Sequence, residues 1–135
     1  DCEYLPQSQF SDAKIILQNL YNINEKQLAN WAKKCDLKTK SRAWNDKKIT
    51  AHHAIIPTKV KVNLMSLTIE ERNIYFLIAQ AYIAQFYPVH IYDQTKISIE
   101  YMQELFVTSG RVVKQMGWKE LYVQNNKISF GTSKY

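Results

Sequence analysis

Three glycines and three prolines among 135 residues leave few places for sharp turns, which excludes collagen-like, linker-like and low-complexity character. Two cysteines, Cys2 and Cys35, form neither a CxxC pair nor a disulfide framework, so they read as buried or incidental thiols in a reducing compartment. Neither is a good nucleophile candidate. No apolar run reaches the roughly 20 residues that a bilayer crossing needs, and the most apolar stretch, IYFLIAQAYIAQF, is interrupted by Gln80 and Gln85. The opening DCEYLPQSQF has no basic region followed by an apolar one, and it lacks an initiating Met. The expectation is a soluble, cytoplasmic chain, processed or cut from something longer. No internal repeat is present.

What the chain does have is apolar mass: 46% hydrophobic and 13% aromatic residues, enough for a real core. A chain of this size buries roughly two thirds of its unfolded surface. Its net charge of +6 is unevenly placed. Residues 33–61 carry nine basic groups, Lys33, Lys34, Lys38, Lys40, Arg42, Lys47, Lys48, Lys59 and Lys61, against Asp36 and Asp46. The whole excess therefore sits in one stretch. A polyanion is the natural partner of such a segment, although a solvated basic loop explains the charge alone equally well.

Hydrophobic spacing places three helices in the first two thirds. Ala13, Ile16, Leu17, Leu20 and Tyr21 recur at helical period behind a Ser8 or Ser11 cap. Asn24 and Gln27 resemble a capping box before Leu28, Trp31, Ala32 and Cys35. Thr68 and Glu71 form a second box, and Ile74, Leu77, Ile78, Ala81 and Tyr82 make the expected buried face of a third helix, ended by Tyr87-Pro88. Between them, 36–62 has no sustained period, with room for a short helix at Ala51 to Ala54 before Pro57.

After Pro88 the texture alternates. In TKISIEY, Ile97, Ile99 and Tyr101 interleave with polar residues as in a half-buried strand. ELFVTSGRVVKQMG supplies a return strand with Ser109-Gly110 as bulge or turn, and WKELYV and KISF are further strand candidates. The fold class is therefore α+β, divided near Pro88.

Two of the three histidines stand side by side in AHHAIIPT, residues 51–58. Adjacent side chains diverge on a helix or a strand, so His52 and His53 cannot serve one target together. With no Cys, Asp or Glu at ligand spacing, they make no metal site. A lone histidine in apolar context is more often a satisfied structural residue than a functional one. The tyrosines Tyr21, Tyr75, Tyr82 and Tyr101 fall on periodic apolar faces and read as packing.

The stretch KSRAWNDKKITAHHAIIPT, residues 40–58, resembles a signature of the type IA DNA topoisomerases, and its double histidine resembles the topoisomerase III branch. LTIEERNIYFLIAQAYIAQFYP is similar to the helix that follows this motif, and GRVVKQMGWKELY to the strand bearing the family's Gly-Trp pattern. DCEYLP resembles the residues after the nucleophilic tyrosine, whose Tyr-Pro-Arg-Ser/Thr-Asp run would end at Asp1.

The resemblance implies that residues 1–88 are most of the helical gate domain without its tyrosine, and that 89–135 are part of the β-rich arch of a toroid. It implies a parent that cleaves, passes and religates single DNA strands through a 5′-phosphotyrosine link. His52 matches the active-site histidine that holds or protonates the scissile phosphate, which reverses the structural prior for that residue. Asp1 matches a residue near the nucleophile. Arg42, Trp44, Lys47, Lys48, His53 and Thr58 are expected on the DNA-binding surface, with Trp44 equally at home in a core. No metal or cofactor is expected in this chain, while Mg2+ would serve the parent through acidic residues elsewhere. Expected partners are DNA, preferably single-stranded, and the parent's remaining domains, with no membrane. The chain alone should be catalytically silent. The rival readings are a stand-alone single-stranded nucleic-acid-binding module and a purely structural domain with a solvated Lys-rich loop.

Overall fold

The computed structural model describes residues 2–123, and it is α+β: three helices followed by a two-stranded antiparallel hairpin. The expected KISF strand lies outside the described residues.

A 3-10 turn, Gln7–Asp12, leads into helix α1, Ala13–Tyr21, with no side-chain cap from Ser8 or Ser11. Ser11 instead donates from its hydroxyl to the Ser8 carbonyl, 2.9 Å. Ala13, Ile16, Leu17 and Leu20 are buried as their spacing demands, while Tyr21 is exposed. Helix α2, Lys26–Lys33, is capped by Glu25 rather than Asn24: the Glu25 carboxylate accepts from the backbone N–H groups of Gln27 and Leu28, 3.2 and 2.6 Å. An acid at this position also complements the helix dipole.

Helix α3, Ile69–Ala84, starts with the expected capping box, Thr68 and Glu71 each bonding the other's backbone N–H, 3.2 and 2.8 Å. Its buried set differs from expectation. Ala79, Gln80, Tyr82, Ile83 and Ala84 are buried, whereas Ile74, Leu77 and Ala81 are exposed and Ile78 is half-buried. The helix is apolar nearly all round, so periodicity alone could not choose the face. Contacts choose it: Phe76 packs on Trp31, and Tyr82 and Phe86 pack on Trp44.

Beyond α3 the chain forms β1, Ile91–Tyr101, and β2, Glu104–Gln115, paired in register from Tyr101 and Glu104 back to Tyr92 and Val113, with Lys114 bulged at the base. The turn is Met102-Gln103, both at positive φ, as a two-residue hairpin loop requires. Ser109-Gly110 is neither turn nor bulge and pairs in mid-strand with Lys96 and Thr95. Every residue of both strands is exposed, so the expected half-burial of Ile97, Ile99 and Tyr101 does not occur.

WKELYV is not a strand. Residues Gly117–Tyr122 form a 3-10 turn that doubles back under α3, because Gly117 takes φ +54° against the Pro88 and Val89 carbonyls. The turn delivers Leu121, 2% exposed, into the helical core, and Gln80 donates from Nε2 to the Leu121 carbonyl, 2.6 Å. The base of the hairpin is thereby tied to the helical part.

Candidate nucleic-acid interface

No helix forms at Ala51 to Ala54; the stretch after the 3-10 turn Asp46–Lys48 has no regular structure up to Leu64. Backbone bonding to the N-terminal segment replaces it. Leu5 donates from its N–H to the Ala43 carbonyl, 2.7 Å, Asn45 to the Leu5 carbonyl, 3.0 Å, and Ala54 to the Tyr4 carbonyl, 2.8 Å. Leu5 thus forms a parallel bridge with Trp44, and residues 4–5 bond to both sides of the basic stretch. Asn45 caps the turn from its side chain, and Asp46 accepts from the Gln7 N–H, 2.9 Å.

On this frame the two histidines differ in their bonding. His52 is exposed and, among the described residues, makes no hydrogen bond through its ring. His53 is engaged on both nitrogens. Its Nδ1 lies 2.7 Å from the Ala54 carbonyl and must carry the proton there, which leaves Nε2 to accept from the Gln9 amide, 3.3 Å. His53 lines a shallow cleft of about 380 Å³ with Gln9, Asp12, Ile16, residues 54–58 and Lys59. Thr58 is exposed on the rim of that cleft and accepts from the Val60 N–H, 3.3 Å.

The basic groups divide into engaged and free. Lys59 pairs with Asp12, 3.2 Å, and Lys34 with Glu120, 3.3 Å. Lys40 donates to the Gln7 side chain, 2.9 Å, and lies 5.1 Å from the Phe10 ring centroid. Lys47, Lys48 and Arg42 are exposed, and among the described residues no carboxylate pairs with them.

Trp44 is buried at 4% exposure. Its indole meets Phe10 edge-on at 5.0 Å, Phe86 at 6.1 Å and Tyr82 at 6.4 Å. No face is open for a base, so core packing replaces the stacking role expected of it. Asp1 lies outside the described residues.

Arg42 is placed apart from His53 and Thr58. It lines a larger cleft, about 730 Å³, with Lys40, Ser41, Tyr87, His90, Trp118 and Tyr122 among its walls. Trp118 and Tyr122 reach this cleft from the 3-10 turn and not from the strand expected at WKELYV, and nothing in their spacing announces a cleft. Burial pushes the Cys35 thiol up to about 12, and the Tyr82, Tyr87 and Tyr75 hydroxyls upward as well, so none of these is a reactive nucleophile near neutral pH.

The fold thus presents an exposed basic stretch, an unpartnered imidazole and two clefts. The chain belongs to the DNA topoisomerase family, whose sequence model matches residues 1–131. Among curated proteins it is similar to the DNA topoisomerase 3 of Vibrio cholerae, 37% identical over 127 residues, 94% of this chain and 20% of that protein. It is likewise similar to the DNA topoisomerase 3 of Haemophilus influenzae, 40% identical over 121 residues, 90% of this chain and 18% of that protein. The DNA topoisomerase 3 of Bacillus subtilis is 38% identical over 96 residues, 71% of this chain and 13% of that protein. The chain spans about a fifth or less of these relatives. Among the described residues no helix is long and apolar enough to cross a membrane.

Proposed function

We propose that this chain is the gate portion, residues 1–88, and part of the arch, residues 89–135, of a type IA topoisomerase. In this reading the parent acts in the cytoplasm on single-stranded DNA. A tyrosine outside this chain attacks a backbone phosphate: the tyrosine oxygen to phosphorus bond forms, the bond to the 3′ oxygen breaks, and that oxygen leaves with a proton. Religation reverses both bond changes after another strand has passed. Such chemistry depends on positioning and charge stabilisation.

His52 supplies an N–H to the scissile phosphate, Lys47 and Lys48 hold flanking phosphates, and His53 holds the local backbone through Ala54 and Gln9. The observation that carries this is the family match over residues 1–131, together with a free imidazole at His52 beside an engaged one at His53. The N-terminal segment bonded across the basic stretch supports the same reading. Magnesium belongs to acidic residues of the parent. Among the described residues no three His, Cys, Asp or Glu groups come together to hold a metal ion.

The test is the parent enzyme carrying His52→Ala. Strand cleavage and supercoil relaxation should fall about 100-fold, as for loss of a positioned proton donor, with single-strand affinity held within about twofold. Unchanged cleavage would sink the assignment. The 135-residue chain alone should form no covalent adduct with single-stranded DNA.

A further inference from the structure

We infer that the cleft beneath the hairpin is a second seat for an unpaired DNA strand, in which a base stacks on Trp118 and Arg42 holds a neighbouring phosphate. This rests on the DNA-handling reading above and concerns a surface distinct from the His52 stretch.

The cleft has the right size and chemistry. At about 730 Å³ it falls within the usual range of small-molecule sites, roughly 300–1,000 Å³. Tyr4, Tyr87, Trp118 and Tyr122 contribute ring surface, Lys40 and Arg42 contribute charge, and Glu3 is the one acid among the lining residues. Aromatic surface interleaved with cations is the chemistry of single strands, because every base has a face to stack and every linkage a charge. A duplex offers only its backbone, since its bases are already stacked and paired.

The walls assign the roles. Tyr87 is committed, its hydroxyl donating to the Trp31 carbonyl at 3.0 Å, and Ser41 donates to the Gln85 side chain at 2.6 Å. Lys40 is held by Gln7 and Phe10, so it lends charge from a fixed position. Arg42 makes no hydrogen bond or ion pair among the described residues, and its planar fork is left for a phosphate. Trp118 is held but open: its backbone N–H donates to the Pro88 carbonyl at 2.9 Å, Tyr122 meets the ring edge-on at 5.8 Å, and 39% of the residue stays exposed. Lys119 stands 5.8 Å from the ring centroid. Gly117 sets this arrangement, since a Cβ there would run into the Pro88 and Val89 carbonyls and displace the turn that carries the indole.

The experiment is a titration of the 135-residue chain with a 12-mer of thymidylate at low salt, reading anisotropy and tryptophan fluorescence together. Binding should quench the wild-type fluorescence. Trp118→Phe should bind within about threefold and lose the quench, and Trp118→Ala should bind about fivefold or more weakly. Arg42→Ala should lower the salt slope by about 0.7. The double variant Lys47→Ala/Lys48→Ala should keep the full quench at saturation, and a duplex should give none. Binding without quench, a quench that survives Trp118→Phe, or full affinity in a folded Trp118→Ala overturns this seat and leaves the DNA-handling reading standing. Absence of any binding also overturns this seat, and the DNA-handling reading is then decided separately by His52→Ala in the parent enzyme.

Discussion

The helical part and the hairpin differ in what holds them. Between Leu5 and Tyr87 the chain builds a continuous core, with Phe86, Ile16, Leu20, Leu28 and Ile83 almost wholly removed from water. The hairpin has comparable apolar residues, yet Ile97, Ile99, Tyr101, Leu105, Phe106 and Val107 are all exposed. Backbone pairing, the positive-φ turn, the Lys114–Asp93 ion pair at 3.1 Å and the Arg111–Tyr92 contact at 4.8 Å maintain it. An isolated two-stranded hairpin is marginal in water. The hairpin therefore depends on its base, where Gly117, Leu121 and Gln80 clamp it to α3, while the helical part has a core of its own to which the base adds Leu121.

That contrast can be broken first in the core. Phe86→Ala should cost about 3–5 kcal/mol, the range for deleting a buried aromatic side chain, read by urea denaturation of the helical signal. Next is the clamp: Gly117→Ala combines left-handed backbone strain with a collision against two carbonyls and should cost about 2–3 kcal/mol. Amide exchange in β1 and β2 should rise far more than in α1 and α2. Equal acceleration in both regions would show one cooperative unit and dissolve the distinction.

A smaller effect separates the parts by pH. Folding raises the Cys35 thiol from 9.0 to about 12 by burial against the Trp31 carbonyl, 3.7 Å, so the neutral thiol is the form the fold favours. Its stabilising contribution is fully present below about pH 9 and is lost as pH climbs toward 12. Cys35→Ala should flatten the decline of stability over that window relative to wild type, and Cys35 should resist alkylation at pH 8 until the chain is unfolded. The smallest effect belongs to the hairpin: Phe106→Ala, at a site 58% exposed, should change stability by no more than about 0.5 kcal/mol. A loss above 1 kcal/mol would mean that the hairpin face packs against something in solution.

Sequence made the helical part readable where one signal decided each feature. The Thr68–Glu71 box and the α1 stripe hold because local bonding and burial agree there. The α3 face was not legible, since apolar residues surround that helix and only tertiary contacts with Trp31 and Trp44 choose a side. The hairpin was legible from its two strands, TKISIEY and ELFVTSGRVVKQMG, which leave Met102-Gln103 as the loop although that pair lacks Asn-Gly or Asp-Gly chemistry; the misleading signal was the turn-prone Ser109-Gly110, which sits in mid-strand. At the candidate interface, His53 is bonded through both ring nitrogens, an engagement that spacing did not announce. That Arg42 lines a cleft with Trp118 and Tyr122, and not the one lined by His53, was not foretold, because those partners come from residues 117–122, far along the chain.

The segment at residues 4–5 has a mechanical consequence. Its three backbone bonds, to Ala43, Asn45 and Ala54, lie across the chain direction and come from two different parts of the basic stretch. Tension drawn along that segment loads them in shear together instead of peeling them one at a time. The buried Leu5 then passes the load to Trp44 and the aromatic cluster behind it. A pull applied ahead of Cys2 would accordingly move the helical part as one body before it unravelled the end of the chain.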